Sequence, residues 1–285
     1  MLIVRTTITP MPEGDSVYQL SKRLQFMVGR EVVDTSLRTP STALETFTGL
    51  TVDAVWPYGK HLFMQFGERK ILHTHLKMEG TWSIHRRGDK WRKPGHKARV
   101  VLTLADPVGP IEVVGFELGL VDVFPANMYV DRMGYLGPDI LYPDWEEYGR
   151  DEALRRILQH PERPIGTALL DQKNVAGIGN EYRAEVCFLA GVHPATPVSQ
   201  VDVGQFLDIS RRIMWANRNS PIRVTTGVKR AGENGYVFGR NNKPCRRCGT
   251  LITKASLGGT EFDELERIIW WCPTCQPSKS SHLEG

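Results

Sequence analysis

The chain has 285 residues, of which 41% are hydrophobic and 24% charged, and it carries a formal net charge of +4. That length and balance describe a globular protein with a real core, expected to hold two domains and a small module. No run approaches the roughly 18 apolar residues of a transmembrane helix, and the first ten residues are too short for a secretory signal. A cytoplasmic, reducing location is therefore expected, where paired cysteines hold metal rather than form disulfides.

Residues 1–10 read as an N-terminal extension ahead of Met11-Pro12-Glu13-Gly14-Asp15. With Asp15 or Ser16 as N-cap, Val17, Leu20, Leu24 and Met27 recur at helical spacing, and Gly29 closes that helix. Strands are predicted over 31–35, 51–56, 61–66, 71–76, 81–85, 98–104 and 111–116, separated by Gly, Pro and Asp turns. So many short strands in succession indicate a β-sandwich or barrel. Beyond Leu136-Gly-Pro-Asp139 the period becomes helical, over 145–158, 165–170, 181–190 and 203–216. A cysteine-rich module spans 240–276, and the last residues are polar and expected to be disordered.

The modest net charge hides two clusters. Residues 211–254 hold eleven Lys/Arg against Glu233 alone, and residues 85–99 hold seven against Asp89. Localised positive charge of this kind suits a phosphate backbone, although a solvated face is the plainer reading of either cluster.

Cys245-Arg-Arg-Cys248 and Cys272-Pro-Thr-Cys275 are separated by 23 residues. Two such knuckles supply the four thiolates of a structural zinc site. Residues 251–254 and 268–271 between them are predicted to pair as a hairpin. Cys187, within Val186-Cys-Phe-Leu189, reads as a core residue. Gly177 and Gly179, in Asn174-Val-Ala-Gly-Ile-Gly-Asn180, allow a tight turn whose N–H groups face an anion at a helix start. Pro12 becomes a secondary amine if the chain begins at Met11 and that residue is removed. An amine beside the Glu13 carboxylate is the pairing that iminium chemistry requires. A proline opening a helix is the bland alternative. Lys60, before a strand, reads by default as a surface lysine, and Met78, in a loop after a strand, as a buried residue.

Taken together, Met11-Pro-Glu-Gly-Asp15, Leu169-Leu-Asp-Gln-Lys-Asn-Val-Ala-Gly-Ile-Gly-Asn-Glu-Tyr182, Ala190-Gly-Val-His-Pro194 and the four terminal cysteines resemble the formamidopyrimidine-DNA glycosylase/endonuclease VIII family from Met11 to Gln276. The resemblance implies an α+β fold: an N-terminal β-sandwich with a leading helix (11–130), a helix–two-turns–helix DNA-binding domain (131–238) and a zinc hairpin (239–276), with a tail over 277–285. It implies a bifunctional DNA glycosylase/AP lyase of base-excision repair, monomeric, cytoplasmic and nucleoid-associated, acting on damaged DNA that is duplex or locally single-stranded. Its catalytic residues would be Pro12 as Schiff-base nucleophile, Glu13 as acid/base, Lys60 for β-elimination and Arg267 for phosphate binding and δ-elimination. Asn180, Lys173, His96 and the wedge residue Met78 would contact DNA. One structural Zn2+ would sit on Cys245, Cys248, Cys272 and Cys275.

Gly59-Lys60 and the short run between Thr226 and Tyr236 resemble the endonuclease VIII branch, which favours oxidised pyrimidines. The chain departs from the family pattern in Ser16, where a Glu is common, and in lacking an Arg-x-Phe wedge near 105–120. Its stretch between the cysteine pairs is also longer. The alternative reading is a catalytically silent protein that binds abasic, gapped or distorted DNA on the same scaffold.

Overall fold

The structure, a computed structural model, describes residues 12–259 and 266–278. The predicted extension 1–10 and the tail from 279 onward lie outside the described residues. The chain divides into two compact units, the first built on Leu20–Tyr129 with Glu13, the second on Gly14–Gln19 and the chain from Val130 onward.

In the first unit, strands β1 (Val32–Leu37), β6 (Ala98–Leu104), β7 (Ile111–Phe116) and β5 (Thr81–Arg86) form one antiparallel sheet in the order β1-β6-β7-β5. Strands β2 (Val52–Tyr58), β3 (His61–Phe66), β4 (Lys70–His75) and β8 (Leu120–Pro125) form the other, in the order β2-β3-β4-β8. These sheets make up the expected sandwich. The seven predicted strands are all present, within a residue or two of their ends. The eighth, β8, has no strong alternation to announce it and ends in Pro125, which is tolerated because β8 is an edge strand. Sandwich residues such as Phe63, Phe66, Val113 and Phe116 are fully buried, as period-2 patterning over a closed interior requires.

Helix α1 (Gly14–Leu24) begins earlier than predicted, with Glu13 rather than Asp15 or Ser16 at the N-cap. Asp15 cannot cap the helix because its carboxylate is committed elsewhere, as described below. A short helix, α2 (Tyr129–Met133), follows the sandwich.

The helices of the second unit are α3 (Arg150–Leu158), α4 (Ile165–Leu170), α5 (Asn180–Ala190) and α6 (Val203–Asn217). They enclose an apolar core that includes Trp145, Ile157, Leu169, Tyr182, Phe206 and Met214. Cys187 belongs to this core, and burial pushes its thiol up to about 12, so it is inert. The predicted helix 145–158 is α-helical only from Arg150, because Trp145–Gly149 widens into a single π turn. Gly149 permits that turn, since a Cβ there would lie 2.8 Å from the buried Trp145 ring. Gly191, with φ +69°, ends α5 in the left-handed conformation.

The same unit carries the terminal hairpin, β9 (Thr253–Leu257) paired with β10 (Arg267–Trp271). The first strand lies two to three residues later than predicted, because Leu251 instead forms a bridge with Pro244 beside the first cysteine knuckle. A second core cluster of Ala184, Phe188, Val237, Ile252 and Ile269 seats the hairpin on α5. No helix among the described residues is long and apolar enough to cross a membrane.

Candidate active site, nucleic-acid interface and metal centre

Pro12 is half-buried, and Glu13, next to it, is 1% exposed. Although Glu13 occupies the N-cap, its carboxylate makes no cap hydrogen bond. The helix start is held instead by Gly14, whose N–H donates to the Gly177 carbonyl at 2.9 Å. A Cβ on Gly14 would lie 3.0 Å from the Gly177 Cα, so the close approach depends on glycine.

One residue further on, Asp15 is buried and accepts the Tyr182 hydroxyl at 2.8 Å. It also accepts a two-pronged contact from Arg223, at 2.6 and 2.9 Å. The third arm of Arg223 reaches Glu181 at 2.6 Å, and its guanidinium lies 4.6 Å over the Tyr182 ring. These residues stand up to 208 positions apart in sequence, and no local signal in the chain announces them.

In the sandwich, Lys60 follows the β2–β3 turn at Gly59, whose φ is +54°. Lys60 is half-buried rather than a freely exposed surface lysine. Beside it lie three histidines of β3 and β4. His61 Nδ1 and His73 Nε2 are 2.8 Å apart, and the His61 and His75 rings meet edge to face at 4.9 Å. Burial, reinforced by the neighbouring His73, drops His61 to about 3. Burial and the nearby His61 do the same to His75. Both imidazoles are therefore neutral near pH 7.

Met78 corrects the default expectation of burial, because it is 60% exposed. It projects from the turn Leu76–Gly80, closed by the Gly80 N–H donating to the Leu76 carbonyl at 2.9 Å. Gly80 is obligatory there, since a Cβ would lie 2.4 Å from that carbonyl oxygen. His96, in a 3-10 turn before β6, is exposed.

The two-turn motif joins α4 to α5 through residues 171–179. Its expected anion cradle is only partly available, because the Gly177 N–H donates to Gln172 Oε1 at 3.0 Å. Gly177 is needed for its φ of +110° and for close packing against Ile140. Lys173 is exposed, its N–H held by Asp171 at 2.9 Å. Asn180, the first residue of α5, donates from Nδ2 to the Ile268 carbonyl at 3.0 Å and accepts from Arg183 Nε at 2.7 Å. Asn180 is thereby brought beside Arg267, the exposed first residue of β10. Arg183 is fully buried and points its other donors at the carbonyls of Gly166, Arg267 and Ile268.

The four terminal cysteines converge, with all Sγ atoms within 4.8 Å of one another. The Cys245–Cys275 and Cys248–Cys272 sulfurs are 3.9 and 3.4 Å apart. Bonds of about 2.3 Å to a tetrahedral zinc would set sulfurs about 3.8 Å apart, so the donor set and its spacing fit that ion. The N–H groups of Arg247 and Cys275 donate to Cys245 and Cys272 sulfur at 3.4 Å, contacts that favour thiolates. Hydrogen bonds from Thr250, side chain first and then backbone, lower Cys248 to about 6, whereas burial raises Cys272 and Cys275. A cation among them would hold all four deprotonated.

The basic clusters prove less uniform than their composition suggests. Lys93 and Lys97 both pair with Glu117, whose carboxyl they hold at about 2, and Arg86 pairs with Asp106. In the second cluster Arg223 is buried, while Arg240 and Arg246 donate to backbone carbonyls. Much of this charge supports the fold, leaving phosphate contact to a smaller set.

Comparison with known proteins adds to this geometry. The model of the formamidopyrimidine-DNA glycosylase N-terminal domain matches residues 11–122, and that of the formamidopyrimidine-DNA glycosylase H2TH domain matches residues 136–219. The chain is 39% identical over 280 residues to the probable endonuclease 8 2 of Streptomyces coelicolor, covering 96% of this chain and 97% of that protein. It is 40% identical over 268 residues to the DNA-(apurinic or apyrimidinic site) lyase Nei2 of Mycolicibacterium smegmatis, covering 93% and 99%. Among solved structures, a Lactococcus lactis formamidopyrimidine-DNA glycosylase non-covalently bound to AP-site DNA matches with a TM-score of 0.75. At 22% identity, covering 93% of this chain and 100% of that one, this likeness speaks for the fold.

Proposed function

This chain belongs to the formamidopyrimidine-DNA glycosylase family, and on that premise we propose that it is a DNA glycosylase and AP lyase of base-excision repair. The observation that carries this reading is the match of nearly the whole chain to relatives of that activity, with the family match starting at residue 11. A chain starting at Met11 and losing it presents Pro12 as a secondary amine. That nitrogen attacks C1′ of the damaged nucleotide while Glu13 delivers the proton that lets the base leave. The bound amine then loses its proton, the C1′–O4′ bond opens with O4′ taking up a proton, and the resulting iminium acidifies C2′. Loss of that proton expels the 3′ phosphate, with Lys60 placed to contact phosphate at the lesion. Arg267 binds phosphate and assists a second elimination, and water finally frees the proline.

Asn180, Lys173 and His96 serve DNA contact, and Met78 fills the space left by the everted nucleotide, offsetting unstacking of a few kcal/mol. Zinc on the four cysteines is structural: it holds the hairpin that carries Arg267 and takes no part in the reaction. Oxidised pyrimidines are the preferred substrates. The endonuclease 8 names of the relatives support this, as does the short segment closed by the Thr225 N–H on the Asn234 carbonyl, which leaves little chain to cap a purine. The protein is expected to act as a monomer on nucleoid DNA.

Borohydride trapping on abasic-site DNA tests the reading. A covalent adduct is expected from protein beginning at Pro12 and none from protein retaining residues 1–10. No adduct from either form would overturn the lyase and leave a protein that binds distorted DNA without cutting it.

A further inference from the structure

We propose that Arg223 is a positioning residue for the proline nucleophile, acting through Asp15. The inference rests on the lyase reading above and adds a residue that no motif contains. Asp15 lies in the first turn of α1, three residues after Pro12. Its carboxylate receives both prongs of Arg223, the Tyr182 hydroxyl at 2.8 Å and the Ser16 N–H at 2.8 Å, so neither oxygen has latitude to move. Immediately before it, Gly14 is fastened through its N–H to Gly177 in the two-turn motif. Backbone and side chain are thus fixed at consecutive residues. Pro12 is two residues ahead of Gly14, so the chain's own covalent reach confines it to within about 7 Å of that anchor.

The cost of the arrangement argues for a geometric role. The Arg223 and Asp15 side chains are each 3% exposed and that of Glu181 is 12% exposed. A buried ion pair repays little of its desolvation, and apolar packing of similar volume would serve stability equally well. What the pair supplies is direction: a planar fork set by two carboxylates from different segments, Asp15 in α1 and Glu181 in α5. Glu181 follows Asn180, so Arg223 ties the helix start that carries the nucleophile to the helix start that meets phosphate. Attack at C1′ needs the amine within bonding approach of one carbon, and a misplacement of about 1 Å can lower such a rate about 100-fold.

The experiment compares wild type, Arg223→Met, Arg223→Lys and Tyr182→Phe, each beginning at Pro12. Single-turnover trapping on abasic DNA is measured beside affinity for DNA bearing an unreactive tetrahydrofuran abasic analogue. Arg223→Met is expected to trap 10- to 100-fold more slowly, by order of magnitude, with affinity changed less than about twofold. Arg223→Lys is expected to recover part of the rate, because one charged donor still reaches Asp15. Tyr182→Phe removes only a hydroxyl, so it carries the test if Arg223→Met fails to fold; a drop of about threefold to tenfold is expected. Wild-type trapping rates in Tyr182→Phe and in every folded Arg223 variant would overturn the proposal. So would rate and affinity falling in parallel, which marks a merely structural role. An absent adduct with wild type would instead overturn the lyase reading and this role with it.

Discussion

Asn180 donates its side-chain amide to the main-chain carbonyl of Ile268 at 3.0 Å, so the start of α5 is latched to the strand that begins with Arg267. The two residues proposed to grip phosphate therefore share one local framework, yet they differ in charge. Arg267→Ala should lower the slope of log affinity against log salt by about one, because one phosphate neutralisation is lost. Asn180→Ala removes a neutral contact and should weaken binding about fivefold with the slope nearly unchanged. Titrations at several salt concentrations check both, and equal slopes in the two variants would contradict the assignment.

The four-sulfur cluster makes a prediction separable from catalysis. One zinc per chain should be released on thiol modification, and Cys248→Ser should lower that stoichiometry. Cys187→Ser should leave it intact, because Cys187 lies in the helical core. Chelation should abolish most DNA binding while far-UV circular dichroism keeps its helical signal, since the helical core is built without the cysteine knuckles. Metal analysis beside the spectra decides the point.

What the sequence disclosed and withheld follows physical lines. The seven predicted strands, the helices and the cysteine knuckles depend on local periodicity, turn residues and spacing, all of which a linear chain displays. β8 is not legible because an edge strand needs less patterning, and the N-cap falls at Glu13 rather than Asp15 because Asp15 is drawn off by Arg223, far along the chain. Buried polar networks of this kind have no period. The basic clusters are legible only in part for the same reason: composition counts charges and cannot tell which are bound to Glu117, Asp106 or a carbonyl. The roles proposed for Pro12, Asn180, Arg267 and Met78 rest on motif resemblance rather than on any propensity.

Met78 is the exposed apolar tip of a turn that glycine alone can close. Met78→Ala should leave the fold unchanged, because a side chain 60% exposed contributes little to the core. Excision from duplex DNA should fall about tenfold, while cleavage of single-stranded or bubble substrates, whose bases are already unstacked, should hardly change. Parallel assays on duplex and bubble DNA measure the ratio. An equal loss on both would remove the wedge role.

Acid should weaken the sandwich through its histidines. His61 stays neutral in the folded chain down to about 3, chiefly because burial penalises its charged form and then because His73 is 2.8 Å away. An unfolded histidine takes up a proton near pH 6.5, so below that pH the unfolded state binds more protons and stability falls. The contribution is complete above about pH 6.5 and is lost progressively as the pH drops towards 3. Between pH 6.5 and 5 this loss amounts to about 2 kcal/mol for His61, with a change of the same sign from His75. The lowered carboxyls of Glu117 and Glu152 also lose stability in acid, but only as the pH falls through the ordinary carboxylate range towards 2, so they contribute little between pH 6.5 and 5. Urea midpoints should fall across that window in the wild type and fall less in His61→Gln. Ring resonances of His61 should show no titration down to pH 5, and a midpoint near 6.5 would refute the buried neutral pair.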